Sequence, residues 1–161
     1  MTTPKERITF DTVREIGLTL PHAKEIRYWG SPAQAVNGHI FVVKTAHRSA
    51  ARNSISVPVG FKRRDQLIRE DPNIFYLKSH YERYPVVLVR LSRITRAQLR
   101  RLLQYAHRVV STGAVNPDEP VSREELHRTR GSERSSRRGA SATGSRRRST
   151  GRSSRTSSAH K

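Results

Sequence analysis

Ala33-Gln34-Ala35-Val36-Asn37-Gly38-His39-Ile40-Phe41-Val42-Val43-Lys44-Thr45 sets two β-prone runs on either side of an Asn-Gly pair. A type I′ turn needs positive φ at both central residues, and Asn-Gly meets that need at little steric cost. The stretch therefore predicts a hairpin, with strands over about 33–36 and 40–45. A third strand is expected over about 54–59, where Ile55, Val57 and Val59 alternate with Ser54, Ser56 and Pro58 to give one apolar and one polar face. Pro58 lacks an N–H for a ladder, which points to an edge position. Three strands in succession without an intervening helix argue for antiparallel pairing rather than βαβ units.

Outward from this core, Thr9 to Leu18 reads as a helix, with Thr9 as N-cap and Phe10, Val13, Ile16 and Leu20 near helical spacing, stopped at Leu20-Pro21. Phe61 to Glu70 reads as a second helix. It ends at Asp71-Pro72, because the residue before proline disfavours helical geometry. Two strands follow, over about 74–77 and 86–91; the second carries apolar residues on both faces and should be central. Thr95-Arg96-Ala97-Gln98 has the capping-box form and opens a last helix with Leu99, Leu102, Leu103, Ala106 and Val110 as its apolar stripe. The predicted order is α-β-β-β-α-β-β-α, an α+β domain over residues 1–111.

The remainder has a different composition. Residues 112–130 read as a linker, in which Val121 to Leu126 could form a single turn of helix. Residues 131–161 hold nine Lys or Arg, ten Ser, one acid and no Leu, Ile, Val, Met or aromatic residue. A segment without apolar side chains cannot offset the roughly 1–2 kcal/mol per residue of backbone ordering entropy, so a mobile polycation is expected there. The domain is basic as well: residues 1–111 contain 20 Lys or Arg against 8 Asp or Glu, a difference of +12 within a chain total of +19.

Composition also excludes. There is no cysteine, which removes disulfides, thiolate catalysis and Cys-based zinc sites. No stretch approaches the roughly 18–20 apolar residues of a membrane helix, and no apolar run follows the N-terminal charges, so a cytoplasmic protein without membrane contact is expected. There is neither a Gly-x-Ser-x-Gly elbow nor a Walker loop, and the histidines show no metal-ligand spacing. No enzyme, metal or cofactor is expected.

The charge pattern points to a polyanion. Lys44, His47, Arg48 and Arg52 lie on one loop rich in small residues between the second and third predicted strands, where the backbone could approach DNA while the cations reach phosphate. Lys62, Arg63 and Arg64 open the second helix, and Arg137, Arg138, Arg146, Arg147 and Arg148 form the densest runs of the tail. Arg96, Arg100, Gln104 and Arg108 line the last helix at four-residue steps, and the three arginines read as a solvated face. Trp29, the lone tryptophan, is expected to anchor the core, the alternative being an exposed stacking surface for a base. His80 is expected to hold its loop by hydrogen bonding. Tyr76, Tyr81 and Tyr84 surround the same loop, and the sequence does not choose among them.

Leu20-Pro21 with Glu25, Trp29-Gly30-Ser31-Pro32, Asn37-Gly38-His39-Ile40-Phe41, Phe61-Lys62-Arg63-Arg64, Asp71-Pro72 with Phe75, His80-Tyr81, Tyr84-Pro85 and Val87-Leu88-Val89-Arg90-Leu91 together resemble the MmcQ/YjbR family of small bacterial proteins. The resemblance covers about residues 8–110. It implies a CyaY-like α+β fold whose hairpins have been proposed as a double-wing DNA-binding motif. Many relatives carry Gly-Trp where this chain has Pro85-Val86, so no role of that aromatic carries over. The expectation is a non-enzymatic, largely sequence-independent DNA-binding protein, a monomer or weak oligomer. The alternatives are an RNA- or ribosome-associated protein and a small-molecule or protein-interaction module with incidental charge.

Overall fold

The computed structural model describes residues 4–117 and 119. Arg137, Arg138, Arg146, Arg147 and Arg148, the rest of the tail, and the predicted helical turn over 121–126 lie outside them. The elements run α1 (Phe10–Leu18), β1 (Ala23–Tyr28), β2 (Ser31–Val36), β3 (His39–Lys44), β4 (Ser54–Pro58), α2 (Phe61–Glu70), β5 (Phe75–Tyr76), a short 3₁₀ turn over Ser79–Tyr81, β6 (Val86–Arg90) and α3 (Arg96–Ser111). Six antiparallel strands form one sheet in the order β1-β2-β3-β4-β6-β5. The domain is α+β, as expected, with one strand more than the sequence suggested.

That strand is β1. Its run Ala23-Lys24-Glu25-Ile26-Arg27-Tyr28 lacks apolar alternation because it is an edge strand paired only with β2, so no side chain of it is fully buried. It joins β2 through Trp29 and Gly30, both left-handed at φ 49° and 80°. The next connection, Asn37-Gly38, has nearly the same geometry at φ 51° and 82°. The molecule thus contains two consecutive type I′ hairpins, of which the expected residue pair marks only the second.

The edge assignment for Pro58 is corrected: β4 lies between β3 and β6. The proline is tolerated because β3 pairs with β4 over only two positions, Val43 with Ser56 and Lys44 with Ile55. The Val59 amide donates towards β6, to Pro85 O at 3.0 Å. By alternation the Pro58 nitrogen faces β3, beyond the end of that pairing, where no donor is required. β2 and β3 are irregular as well, since Ala35 pairs with Ile40 but Gln34 with Val42, leaving Phe41 as an extra residue. This bulge places both Phe41 and Val42 in the core under the helices, while Ile40 and Val43 belong to the outer face.

The inner face of the sheet packs against α1 and α3. Val13 and Ile16 of α1, Val36, Phe41, Ile55, Val57, Val87 and Val89 of the sheet, and Leu99, Leu103 and Ala106 of α3 are all buried there. One polar group crosses this layer. Gln34 is fully buried on β2, its Nε2 donates to Arg14 O at 3.0 Å, and its Oε1 lies against Gly17 of α1. The capping box predicted for α3 forms: Thr95 N–H donates to Gln98 Oε1 at 3.0 Å and Gln98 N–H to Thr95 Oγ1 at 3.2 Å. Among the described residues no helix is long and apolar enough to cross a membrane.

Candidate functional site

On the sheet face away from the helices lies an open cleft of about 470 Å³. Its floor is made by outward residues of three strands, where β3 and β4 cease to pair: Ile40 and Val43, Ser56 and Pro58, and Val86. Its walls are aromatic. Tyr28 and Trp29 come from the first hairpin, and His80, Tyr81 and Tyr84 from the segment between β5 and β6, with Pro117 completing the rim. Among the described residues no charged side chain lines it. Ser56 presents the hydroxyl of the floor, and it has no hydrogen-bond partner among the described residues.

Trp29 is 91% exposed. The expectation of a core anchor is therefore corrected: the ring stands at the tip of a hairpin, touching Tyr28 edge-on with centroids 6.3 Å apart. A bulky residue at positive φ in a turn is uncommon, because the left-handed region costs an L residue roughly 1–2 kcal/mol. The fold gains almost no burial in return. His80 also departs from expectation, holding its segment by ring stacking and not by a hydrogen bond. Its imidazole lies 3.9 Å from that of His47 at an interplanar angle of 5°, and Tyr81 meets both rings edge-on. Burial pushes the Tyr81 phenol above its ordinary range, and the neighbouring Tyr76 phenol adds to the effect.

His47 carries this contact into the basic loop. Lys44, His47, Arg48 and Arg52 are all exposed, and Lys44, Arg48 and Arg52 have no ion-pair or hydrogen-bond partner among the described residues. The base of the loop is nevertheless pinned. Tyr76 Oη accepts from the Ala51 amide at 2.8 Å and donates to Ser54 Oγ at 2.8 Å, while Thr45 Oγ1 donates to Ser54 O at 2.9 Å. The result is an anchored loop with free cations on its exposed part.

The chain matches no protein-family model, no curated protein and no solved structure.

The three cations that open α2 separate into different environments. Lys62 is exposed and has no partner among the described residues, and Arg63 is half-buried with its guanidinium 3.3 Å from Glu70. Arg64 is fully buried, and its assignment to nucleic-acid binding is corrected. Phe61, Arg64, Leu67 and Ile68 recur at helical spacing, which turns Arg64 inward. Its Nη1 donates to Glu82 O and Tyr84 O, each at 3.0 Å, its Nε donates to Asp65 at 3.1 Å, and the guanidinium lies over the Phe61 ring at 4.9 Å. Arg64 is thus a strut for the segment carrying Tyr84, one wall of the cleft. On α3, Arg96 is engaged by Glu6 at 2.9 Å and Glu15 at 2.7 Å, whereas Arg100 and Arg108 are exposed.

Residues 112–117, placed in the linker by composition, return to the domain: Val115 N–H donates to Val109 O at 3.2 Å and Pro117 reaches the cleft. Sequence reading singled out neither Tyr28 and Pro117 nor the residues of the floor as parts of a site. The signal for Tyr28 was present in Trp29-Gly30, a glycine at the second turn position after a β-prone Ile26-Arg27-Tyr28, and that for Ser56 and Pro58 in the alternation of the third strand; Pro117 had none. Among the described residues no three His, Asp or Glu side chains form a group able to hold a metal ion.

Proposed function

We propose that this protein is a non-enzymatic DNA-binding domain that grips the phosphate backbone largely without regard to sequence. The observation that carries the reading is the β3–β4 loop, where Lys44, Arg48 and Arg52 are exposed, free of acidic partners among the described residues and mounted on a base fixed by Tyr76. Cations already paired would have to break those pairs to bind phosphate; these do not. Lys62 adds a further free charge, and the domain total of +12 gives a field that attracts any polyanion. The basic tail, with Arg137, Arg138 and the Arg146-Arg147-Arg148 run, would add sequence-independent affinity. The motif resemblance to the MmcQ/YjbR family agrees with this reading, since the loop occupies a wing-like position after the second hairpin.

The test is the salt dependence of binding of the full chain to a random duplex. Each phosphate neutralised contributes about 0.9 to the slope of log affinity against log salt. Replacing Lys44, Arg48 and Arg52 together by Ala should lower the slope by about 2.7, which over a fourfold change in salt is about a 40-fold smaller loss of affinity. An unchanged slope would remove the loop from the interface. A second reading, a site for a small planar molecule, is favoured by one observation, the neutral aromatic cleft.

A further inference from the structure

The cleft and the basic loop differ in chemistry but are joined. The cleft is apolar and aromatic, with no charged lining side chain among the described residues and the Ser56 hydroxyl on its floor; the loop carries the exposed cations and touches the cleft wall through the His47–His80 stack. A nucleotide has the same division: a neutral planar base and a charged phosphate. At about 470 Å³ the cleft has the size of small-molecule sites, roughly 300–1,000 Å³, which accommodates a heterocycle but not a paired duplex. Base faces inside a duplex are already stacked, whereas an unpaired base has a free face and sequence-tolerant affinity for aromatic rings.

We infer that the cleft takes one unpaired base of a DNA strand, stacked against Trp29 at the rim, while the flanking phosphates lie outside on the cations of the β3–β4 loop. The inference rests on the DNA-binding reading above and deepens it. Trp29 supports it most directly. Its ring is exposed, held at positive φ, and placed at the lip of the cleft, so the side chain does little for the fold and offers a free face to a ligand. Ser56 supplies the one polar group of the floor, able to donate to or accept from a base edge without selecting one base strongly.

The test uses the full chain and three probes: a short single-stranded deoxyoligonucleotide, an abasic strand of the same length, and a deoxynucleoside monophosphate. Both strands carry the same charge, so the contribution of the tail and of the loop cations cancels in their comparison. The base-bearing strand should bind about 5- to 150-fold more tightly than the abasic one, the effect of a single base on an aromatic platform. It should also change the fluorescence of Trp29, the sole tryptophan, while the abasic strand leaves it unmoved. Trp29→Asn should abolish the difference between the strands and preserve the affinity for the abasic one. Equal, salt-sensitive binding of both strands with unmoved fluorescence would overturn this inference and leave the DNA-binding reading intact. Absence of binding to either strand would overturn this inference too, while absence of binding to the random duplex as well would overturn the DNA-binding reading. A monophosphate that changes the fluorescence as strongly as the strand, at equal concentration of bases, would overturn the assignment to a strand.

Discussion

Replacing Trp29 by Asn asks whether the fold has any use for that ring. Trp29 occupies the first central position of a type I′ turn at φ 49°, and Asn37 occupies the same position in the next hairpin at φ 51°. The molecule therefore supplies its own reference for what that conformation prefers. Asn enters the left-handed region readily, so the substitution should recover about 1 kcal/mol of the roughly 1–2 kcal/mol that the conformation costs an ordinary L residue. Against this stands the lost burial. With 91% of the residue exposed, only about 9% of a side chain of roughly 250 Å² is covered, and some 20 Å² at about 25 cal/mol per Å² comes to roughly 0.5 kcal/mol.

The edge contact with Tyr28 is solvated and adds little. The expected outcome is a net gain of about 0.5 kcal/mol for Trp29→Asn, measured by urea unfolding with an unchanged m value. The reciprocal change, Asn37→Trp, should destabilise by about 1 kcal/mol, since it introduces the conformational cost at a second exposed turn. A loss of 1 kcal/mol or more for Trp29→Asn would refute the reasoning, for it would mean that the ring packs against the domain and is not held out for a ligand.

Three further outcomes follow from the packing. Gly17→Ala would set a Cβ 1.6 Å from Gln34 Oε1, and because Gln34 is fully buried and bonded to Arg14 O it cannot swing away; overpacking and disruption of that bond should cost about 2–4 kcal/mol in denaturant unfolding, and Gln34→Ala in the same chain should recover part of the loss. Arg64→Ala should destabilise by about 3 kcal/mol by stranding two carbonyls and leaving a cavity, whereas Lys62→Ala, two residues away on the exposed side, should leave unfolding unchanged and lower the salt slope of DNA binding by about 0.9. The Tyr81 phenol is raised by burial, so the unfolded chain ionises first: stability should be level below the ordinary value of 10.0 and fall as pH climbs from there through the folded value, a decline that Tyr81→Phe should reduce in alkaline unfolding experiments.

What could be read from the sequence was what neighbouring residues decide among themselves. Asn37-Gly38 fixes its turn, Asp71-Pro72 stops α2 at Glu70, and Thr95 with Gln98 caps α3, each through contacts within four residues. β1 escaped because an edge strand needs no apolar alternation and because its turn carries Trp where Asn or Asp is the usual sign. Pro58 misled for a related reason. A proline marks the absence of a ladder partner, and here that absence arises in the middle of the sheet, where the β3–β4 pairing stops after two positions. The burial of Arg64 depends on carbonyls 18 and 20 residues away, and the cleft assembles side chains from Tyr28 to Pro117. No local pattern announces such convergence.

The candidate site thus depends on irregularity in an otherwise simple sheet. The bulge at Phe41 and the early end of the β3–β4 ladder leave Ile40, Val43, Ser56 and Pro58 as a floor without a covering helix. A regular ladder there would have aligned Pro58 with β3, where its missing donor is a defect, and would have filled the recess with paired backbone. Leaving the outer face uncovered is expensive for a small domain, since apolar side chains such as Ile40, Val43 and Val86 would otherwise lie open to water. The cost is limited by bringing the His80–Tyr84 segment over that face, and this is the task of Arg64 from below and of the His47 stack from the side. The same two contacts connect the wall of the cleft to α2 and to the basic loop. On the proposed reading, a strand whose phosphates rested on Arg48 and Arg52 would present its bases to a cleft with aromatic walls and, among the described residues, no charged lining side chain, so that the two surfaces would act as one site.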